Sequence, residues 1–167
     1  TKFGWKDVVL LERDQLTSGT TWHAAGLVSQ LGPTAAVTKI RKYTLDLYKK
    51  LEKEVDHSAG LRLNGALSIA QTEARWQELQ RQATTAQLYN VDIDILDKEA
   101  IKKNYPMMNT DDLKGGVLMP GDGAADPSGV TRMLAKAARQ GGAKIYEQSP
   151  VDMVLTKNGK IHGVRVN

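Results

Sequence analysis

The feature that most constrains the fold of this sequence is a short apolar run, Val8-Val9-Leu10-Leu11, which ends at Glu12-Arg13. An unbroken apolar run is typical of a strand buried on both faces, as in a parallel sheet. Gly4, before the run, fits the end of a helix, where a left-handed residue is favoured. A helix end, a short turn and a buried strand together predict the second half of a βαβ unit, and hence an α/β fold.

Composition narrows the class of protein. The 167 residues are 41% hydrophobic and 25% charged, which is ordinary for a globular chain with a buried core. The absence of cysteine excludes disulfides, thiolate metal sites and a cysteine nucleophile. Basic and acidic residues are interspersed, so the net charge of +4 gives no basic block, and we expect no nucleic-acid partner. No apolar run approaches membrane-spanning length, so we expect no membrane partner.

Further along, periodic patterns alternate between helix and strand. A helix is predicted over residues 40–55, where apolar residues recur every three or four positions. The later predictions are a strand at 66–70, a helix from Thr72 to Tyr89, a strand at 91–96, a helix after Asp97 that stops before Pro106, a strand at 117–119, a helix from Asp126-Pro127 to Gly141-Gly142, a strand at 143–146, and a hairpin of 151–155 and 161–166 around Asn158-Gly159. Residues 61–123 are interpreted as a second layer inserted into the α/β fold.

Glu12 is the first candidate site residue. An acid at the carboxyl end of a parallel strand can accept hydrogen bonds from ribose hydroxyls, and the alternative is a solvated strand end. The glycine-rich phosphate turn that accompanies such an acid lies about 20 residues upstream. Only eleven residues precede Glu12, and the chain opens on Thr1. We therefore expect a piece of a longer protein that lacks this turn.

The loop that follows contains a second group of candidates. Ser18, Gly19, Thr20 and Thr21 offer hydroxyls and backbone N–H groups that suit phosphate or ribityl oxygens. The same residue types would also form a cap for a following helix, and the pattern alone leaves both interpretations open.

His23 stands beside Trp22 and is followed by Ala24-Ala25-Gly26. These small residues would let a flat ring system lie against the backbone. The alternative is a packed, hydrogen-bonded histidine of no special function. No nucleophile elbow and no metal-ligand spacing occur elsewhere in the chain.

The segment from Val8 to Leu27, centred on Gly19-Thr20-Thr21-Trp22-His23-Ala24-Ala25-Gly26, resembles the sarcosine and dimethylglycine dehydrogenases of the D-amino-acid-oxidase-like flavoproteins. The runs Tyr105-Pro106-Met107-Met108-Asn109 and Met119-Pro120-Gly121-Asp122-Gly123-Ala124-Ala125-Asp126-Pro127 are similar to further signatures of that family. The resemblance covers nearly the whole chain. It implies a fragment of a Rossmann-like FAD-binding domain with part of an antiparallel-sheet substrate domain, divided into residues 1–60, 61–123 and 124–167.

The resemblance also implies roles for individual residues. Glu12 and Arg13 would face the adenosine ribose, and the backbone of Val151 would meet the adenine. His23 matches the histidine that is bonded covalently to the flavin 8α carbon. The pyrophosphate and flavin would be lined by one continuous run: Gly19, Thr20, Thr21, Trp22, His23, Ala24, Ala25, Gly26 and Leu27.

Members of the family oxidise an N-methyl amino acid by hydride transfer to the flavin. The one-carbon product leaves as formaldehyde or passes to tetrahydrofolate, and electron-transfer flavoprotein accepts the electrons. The segments Thr20-Thr21 and Leu31-Gly32-Pro33 favour the sarcosine branch. We expect a mitochondrial matrix location in a eukaryote and a cytoplasmic one in a bacterium.

Two alternatives remain open at this point. One is a non-catalytic relative resembling the regulatory subunit of pyruvate dehydrogenase phosphatase, which is expected to lack the histidine. The other is an amine oxidase that passes electrons to oxygen. No catalytic residue and no metal ligand are assigned within the chain. By itself the chain is expected neither to bind FAD tightly nor to turn over.

Overall fold

The computed structural model describes residues 3–166 and has an α/β architecture. The strands are β1 Val9–Leu11, β2 Leu27–Val28, β3 Ala66–Ala70, β4 Asp94–Leu96, β5 Gly115–Met119, β6 Gly123–Ala124, β7 Lys144–Tyr146, β8 Val151–Lys157 and β9 Lys160–Val166. The α-helices are α1 Ala35–Glu54, α2 Glu73–Leu88, α3 Lys98–Asn104 and α4 Pro127–Gln140, and a 3-10 turn spans Thr21–His23. Within the described residues no helix is both long and apolar enough to cross a membrane.

The chain divides into two compact units. Unit 1 comprises residues 1–26, 48–60 and 126–167, and unit 2 comprises residues 27–47 and 61–125. The segment 27–47 therefore belongs to unit 2, although the sequence grouped it with the first sixty residues. Assignment of the units to FAD binding and to substrate binding stays a prediction.

Unit 1 is built on a parallel pair. β1 and β7 align with Val9 opposite Lys144 and Leu11 opposite Tyr146, which confirms the predicted parallel strand. Helix α4 begins as predicted at Pro127, because the Asp126 side chain accepts the Ser128 N–H at 3.0 Å and caps the first turn.

The predicted hairpin is confirmed too. Strands β8 and β9 are joined by Asn158 and Gly159, both of which have positive φ angles, 51° and 72°. Two successive left-handed residues are what a type I′ turn requires.

One expectation about β1 is wrong. Val9 and Leu10 remain 54% and 44% exposed, so the strand is not buried on both faces. Among residues 3–166 its one strand partner is β7, and α4 contacts β7. Because few other elements pack on this two-stranded sheet, its apolar side chains remain in contact with solvent.

Unit 2 contains an antiparallel sheet in the order β3-β5-β4, with α2 packed on β3 and β5. The predicted strands at 66–70 and 117–119 are confirmed, and Thr72 caps α2 by accepting the Arg75 N–H at 3.2 Å. The core of this unit is a cluster of buried apolar side chains with Trp76 and Ile93 packed against it: Ala70, Leu79, Ala83 and Val117. Strand β4 is shorter than predicted and begins at Asp94.

Helix α1 is confirmed, but it begins at Ala35 rather than Ile40, and two apolar residues of its periodic pattern are not buried. Ile40 and Tyr43 are 64% and 51% exposed, whereas Thr38 and Leu45 are buried. A polar residue occupies the buried face because the Thr38 hydroxyl accepts the Gly32 N–H at 3.0 Å and donates to the Thr34 carbonyl at 3.0 Å. Its hydrogen-bonding capacity is therefore used locally.

Replacing Leu79 by alanine tests this account of the core. Leu79 is fully buried, and we expect Leu79→Ala to lower the free energy of unfolding by about 2–5 kcal/mol. The matched control on the same helix is Leu88→Ala, because Leu88 is 76% exposed and its loss should cost no more than about 0.5 kcal/mol. Urea unfolding measures both, and equal costs would contradict the assigned core.

Candidate functional site

The carboxyl edge of the parallel pair in unit 1 holds the first candidate residue. Glu12 continues the pairing beyond β1, since its N–H donates to the Tyr146 carbonyl at 2.8 Å. Its half-buried side chain accepts the Asp14 N–H through Oε1 at 3.0 Å, and its carbonyl accepts the Ser149 N–H at 2.8 Å. The carboxylate is thereby oriented at the strand end, the edge where open parallel sheets meet their ligands.

Two loops are joined at this edge, and each contains a residue in the left-handed region. Thr17 has a φ angle of 79° and Gln148 one of 52°. For a β-branched residue such as Thr17 this conformation is strained. The Gln148 N–H donates to the Asp14 carbonyl at 2.7 Å, and the Leu16 N–H donates to Glu147 Oε2 at 3.2 Å. These cross-links hold the loop that leads into Gly19.

The loop then forms the 3-10 turn Thr21–His23. Thr20 occupies the cap position, and its side chain makes no capping hydrogen bond. The turn is closed by backbone bonds instead, from the His23 N–H to the Thr20 carbonyl at 3.2 Å and from the Ala24 N–H to the Thr21 carbonyl at 3.1 Å. The Thr20 hydroxyl is thus not used as a helix cap, the alternative that the sequence had left open. The turn lies against α4.

His23 is an exposed side chain whose ring lies 3.7 Å from the Trp22 ring, centroid to centroid, at an interplanar angle of 31°. Trp22 is itself 62% exposed, and Ala24 and Ala25 are also exposed. The alternative of a histidine packed in the core therefore does not hold. The two rings and the small residues after them present one open surface in unit 1.

The remaining predicted site residues lie as follows. Arg13 is exposed and forms an ion pair with Asp14 at 3.5 Å. Val151 is the first residue of β8, 43% exposed, and pairs with Val166. Gly19 is open, with no atom within 4 Å of the position a Cβ would take. Leu27 belongs to unit 2, as the first residue of β2, whereas the other predicted site residues all belong to unit 1.

Sequence reasoning missed one residue of unit 2. Asp122 is fully buried, and its Oδ1 accepts the Gln30 backbone N–H at 2.9 Å, while Oδ2 is buried without a hydrogen-bond partner. Burial raises the pKa of the Asp122 carboxyl above its ordinary 3.8, and the hydrogen bonds from Gln30 and the charge of Arg41 oppose that rise. A carboxyl group in such surroundings is a candidate for a functional role.

The residues on either side of Asp122 provide a signal that could have identified it. A Cβ on Gly121 would overlap the Gln30 side chain, and one on Gly123 would overlap the Arg62 carbonyl oxygen. Glycine is therefore required at Gly123, because the Arg62 backbone approaches it closely, whereas at Gly121 only the end of the flexible Gln30 side chain would have to move. The Gly121-Asp122-Gly123 pattern alone is typical of an exposed turn, so it is only a weak sequence signal for the burial of Asp122.

The described part of the chain shows no candidate metal site. Across residues 3–166 no three His, Asp or Glu side chains are grouped so that they could hold a metal ion.

Comparison with known proteins adds the family context. The family model described as FAD dependent oxidoreductase matches residues 1–167. Human mitochondrial sarcosine dehydrogenase is 40% identical over 151 residues, which cover 90% of this chain and 16% of that protein. Human mitochondrial dimethylglycine dehydrogenase is 37% identical over 157 residues, covering 94% of this chain and 18% of that protein. The mouse mitochondrial pyruvate dehydrogenase phosphatase regulatory subunit is 32% identical over 167 residues, covering 100% of this chain and 19% of that protein.

Solved structures share the fold. L-proline dehydrogenase from P. horikoshii superposes with a TM-score of 0.88 at 25% identity, over 96% of this chain and 42% of that one. Glycine oxidase from Bacillus cereus superposes with a TM-score of 0.79 at 23% identity, over 96% of this chain and 46% of that one. The chain spans less than a fifth of the length of the three curated relatives. The α/β fold is thus that of a Rossmann-like FAD-binding fragment.

Replacing Asp122 by asparagine tests the electrostatics of the site through stability. The folded protein binds the Asp122 proton more tightly than the unfolded chain does, because the folded-state pKa is raised. The stabilisation from Asp122 is therefore complete below pH 3.8 and is lost as the pH rises through the folded-state pKa. Asparagine does not titrate, so the unfolding free energy of wild type relative to Asp122→Asn should fall over that range.

Unfolding of both proteins over a pH series measures this difference. The exposed Asp112, replaced by asparagine, shows what the loss of a surface carboxylate does by itself. A difference between wild type and Asp122→Asn that stays constant with pH would contradict the buried, proton-binding carboxyl.

Proposed function

This chain belongs to the FAD-dependent oxidoreductase family, and from that premise we propose that it carries the flavin-attachment loop of an N-methyl amino acid dehydrogenase. His23 is the attachment residue of this proposal, and the substrate is sarcosine or dimethylglycine. Similarity to the sarcosine and dimethylglycine dehydrogenases over at least 90% of the chain supports the reaction class. Activity would belong to the full-length protein, of which this chain supplies one part.

The observation that carries the proposal is the exposure of His23 within a run of small residues. Bond formation to a cofactor carbon needs an imidazole that the cofactor can reach, and His23 is exposed. A flat ring needs a neighbouring surface without bulky side chains, and Ala24, Ala25 and Gly26 follow directly. The residues present therefore fit the dimethylbenzene edge of a flavin. A histidine buried under other side chains would not.

The proposal gives His23, Trp22 and Glu12 a defined task each. The His23 imidazole would hold the flavin through a C–N bond to its 8α carbon, and the bound flavin would supply the hydride acceptor. The tilted Trp22 ring restricts the directions that the imidazole can take. Glu12, oriented by the Asp14 N–H, accepts from ribose hydroxyls. Attachment keeps the cofactor in place and makes its ring a stronger electron acceptor.

Oxidation would proceed by hydride transfer from the substrate N-methyl carbon to the flavin, and the resulting iminium releases formaldehyde or passes its carbon to tetrahydrofolate. Electron-transfer flavoprotein is the proposed acceptor. Similarity is slightly higher to the human sarcosine enzyme, which supports the preference for sarcosine. We propose a mitochondrial matrix location if the source is eukaryotic, because these relatives are named as mitochondrial, and a cytoplasmic one if it is bacterial.

A second candidate is a non-catalytic scaffold, favoured by the similarity to the phosphatase regulatory subunit over the whole chain. His23 distinguishes the two candidates, because a scaffold has no use for an exposed attachment histidine. An oxygen-using oxidase is a further variant of the enzyme, and it would release peroxide without electron-transfer flavoprotein.

Replacing His23 by alanine in the full-length protein tests the proposal. We expect His23→Ala to lose all acid-stable flavin and to retain reduced activity with added FAD, because attachment aids but does not perform the hydride transfer. Flavin absorbance after acid precipitation and turnover of sarcosine and dimethylglycine measure the two effects.

The matched control is His162→Ala, since His162 is an exposed histidine on strand β9 of the hairpin. It should keep wild-type flavin content and turnover. A wild-type protein without acid-stable flavin, or a His23→Ala variant that retains it, would contradict the attachment role.

A further inference from the structure

The side chain of Glu147 joins three parts of unit 1. Glu147 directly follows β7, which ends at Tyr146. Its Oε2 accepts the Leu16 N–H at 3.2 Å, and its Oε1 lies 3.9 Å from Nη2 of Arg139, in the last turn of α4. The carboxylate therefore connects the end of β7, the loop around Leu16 and helix α4, and all three belong to the same compact unit.

The loop around Leu16 leads into the His23 turn. We call residues 14–18 the entry loop. It contains Thr17, whose φ angle of 79° is one that a β-branched residue keeps only where its surroundings hold it. The amide directly before this strained residue is the Leu16 N–H, which donates to Glu147. Without that bond Thr17 could relax, and the chain after it would continue in another direction.

The His23 turn itself is held by the same elements of unit 1. The 3-10 turn Thr21–His23 lies against α4, and α4 also contacts β7. Glu147 is attracted to Arg139 of α4 by its opposite charge. Residues 17–20 alone separate the Leu16 bond from the turn along the chain. Both ends of this short stretch are thus fixed to α4 and the end of β7.

We propose that Glu147 is a positioning residue for the flavin-attachment loop, residues 19–26, acting through the backbone N–H of Leu16. The inference rests on the proposed function, because it assigns a residue that serves the same loop. Attachment depends on the distance and angle between the His23 imidazole and the flavin 8α carbon. A displacement of about 1 Å can slow a reaction step by as much as about 100-fold. Holding the entry loop in one conformation limits the positions that His23 can take.

The test uses the full-length protein, prepared without flavin and then incubated with FAD at several concentrations. The rate of acid-stable flavin formation is the readout. Glu147→Gln loses the charge but keeps the length and an acceptor oxygen, so it should attach flavin at close to the wild-type rate. Glu147→Asp keeps the charge but is one methylene shorter and falls short of the Leu16 N–H, so it should slow attachment about tenfold at saturating FAD.

Two further readouts distinguish positioning from a general loss of structure. The FAD concentration that gives half the maximal rate should be the same in wild type and in both variants, because positioning changes the step that follows binding. The urea midpoint should also be unchanged, since the Glu147 side chain is 38% exposed and such surface substitutions cost little stability. A raised half-saturating concentration with an unchanged maximal rate would assign Glu147 to cofactor binding and overturn the positioning role.

The matched control is Glu54→Asp. Glu54 is also an exposed glutamate of unit 1 in an ion pair, but its partner Lys50, at 3.6 Å, belongs to the same helix. The shortened side chain at this position should leave the attachment rate at the wild-type value.

The outcomes separate this inference from the proposed function. If the wild-type protein attaches flavin at His23 and Glu147→Asp attaches it equally fast, the positioning role is overturned and the attachment site stands. The same holds if Glu147→Gln is as slow as Glu147→Asp, because the bond from Leu16 would then not be the cause. If the wild-type protein attaches none, the proposed function fails, and the positioning role fails with it.

Discussion

The parallel pairing of β1 with β7 is the constraint on which the rest of the structure depends. Parallel neighbours cannot be joined by a tight turn, so the chain between them must leave the sheet and return. Here that connection runs from residue 12 to residue 143 and contains both the His23 turn and all of unit 2. The same pairing places Glu12 at a carboxyl edge and brings the loop after β7 against it, through the Ser149 and Gln148 amides. An edge of this kind is where ligands of open α/β sheets are bound.

Each of the two units fixes its own loops by a different kind of hydrogen bond. In unit 1, the Gln148 N–H and the Glu147 carboxylate join the loop after β7 to the loop that contains the left-handed Thr17. In unit 2, the buried Asp122 carboxyl group accepts the Gln30 N–H, and Gly123 permits the close approach of the Arg62 backbone. His23 and Trp22, both in unit 1, are exposed. An accessible imidazole is what the proposed covalent attachment requires.

The sequence predicted those elements whose signals are local. Thr72, Asp97 and Asp126 cap helices where their residue types suggested, and Asn158-Gly159 forms the expected turn. Burial was harder to predict, because it depends on what covers a face. Val9 and Leu10 are apolar yet half exposed, and Thr38 is polar yet buried. Asp122 escaped detection for the same reason: its partner is Gln30, ninety-two positions away. The proposed attachment role of His23 came from resemblance to a family, since the residues alone also allowed a packed histidine of no special function.

The account is tested most directly by locating the flavin on the full-length protein. Denaturation followed by digestion with trypsin releases the peptide of residues 14–39, in which His23 is the one histidine. Tandem mass spectrometry of that peptide should show an added flavin mass, with fragment ions that assign it to His23. An unmodified peptide from fully loaded, active protein, with flavin released free or found elsewhere, would contradict the central claim.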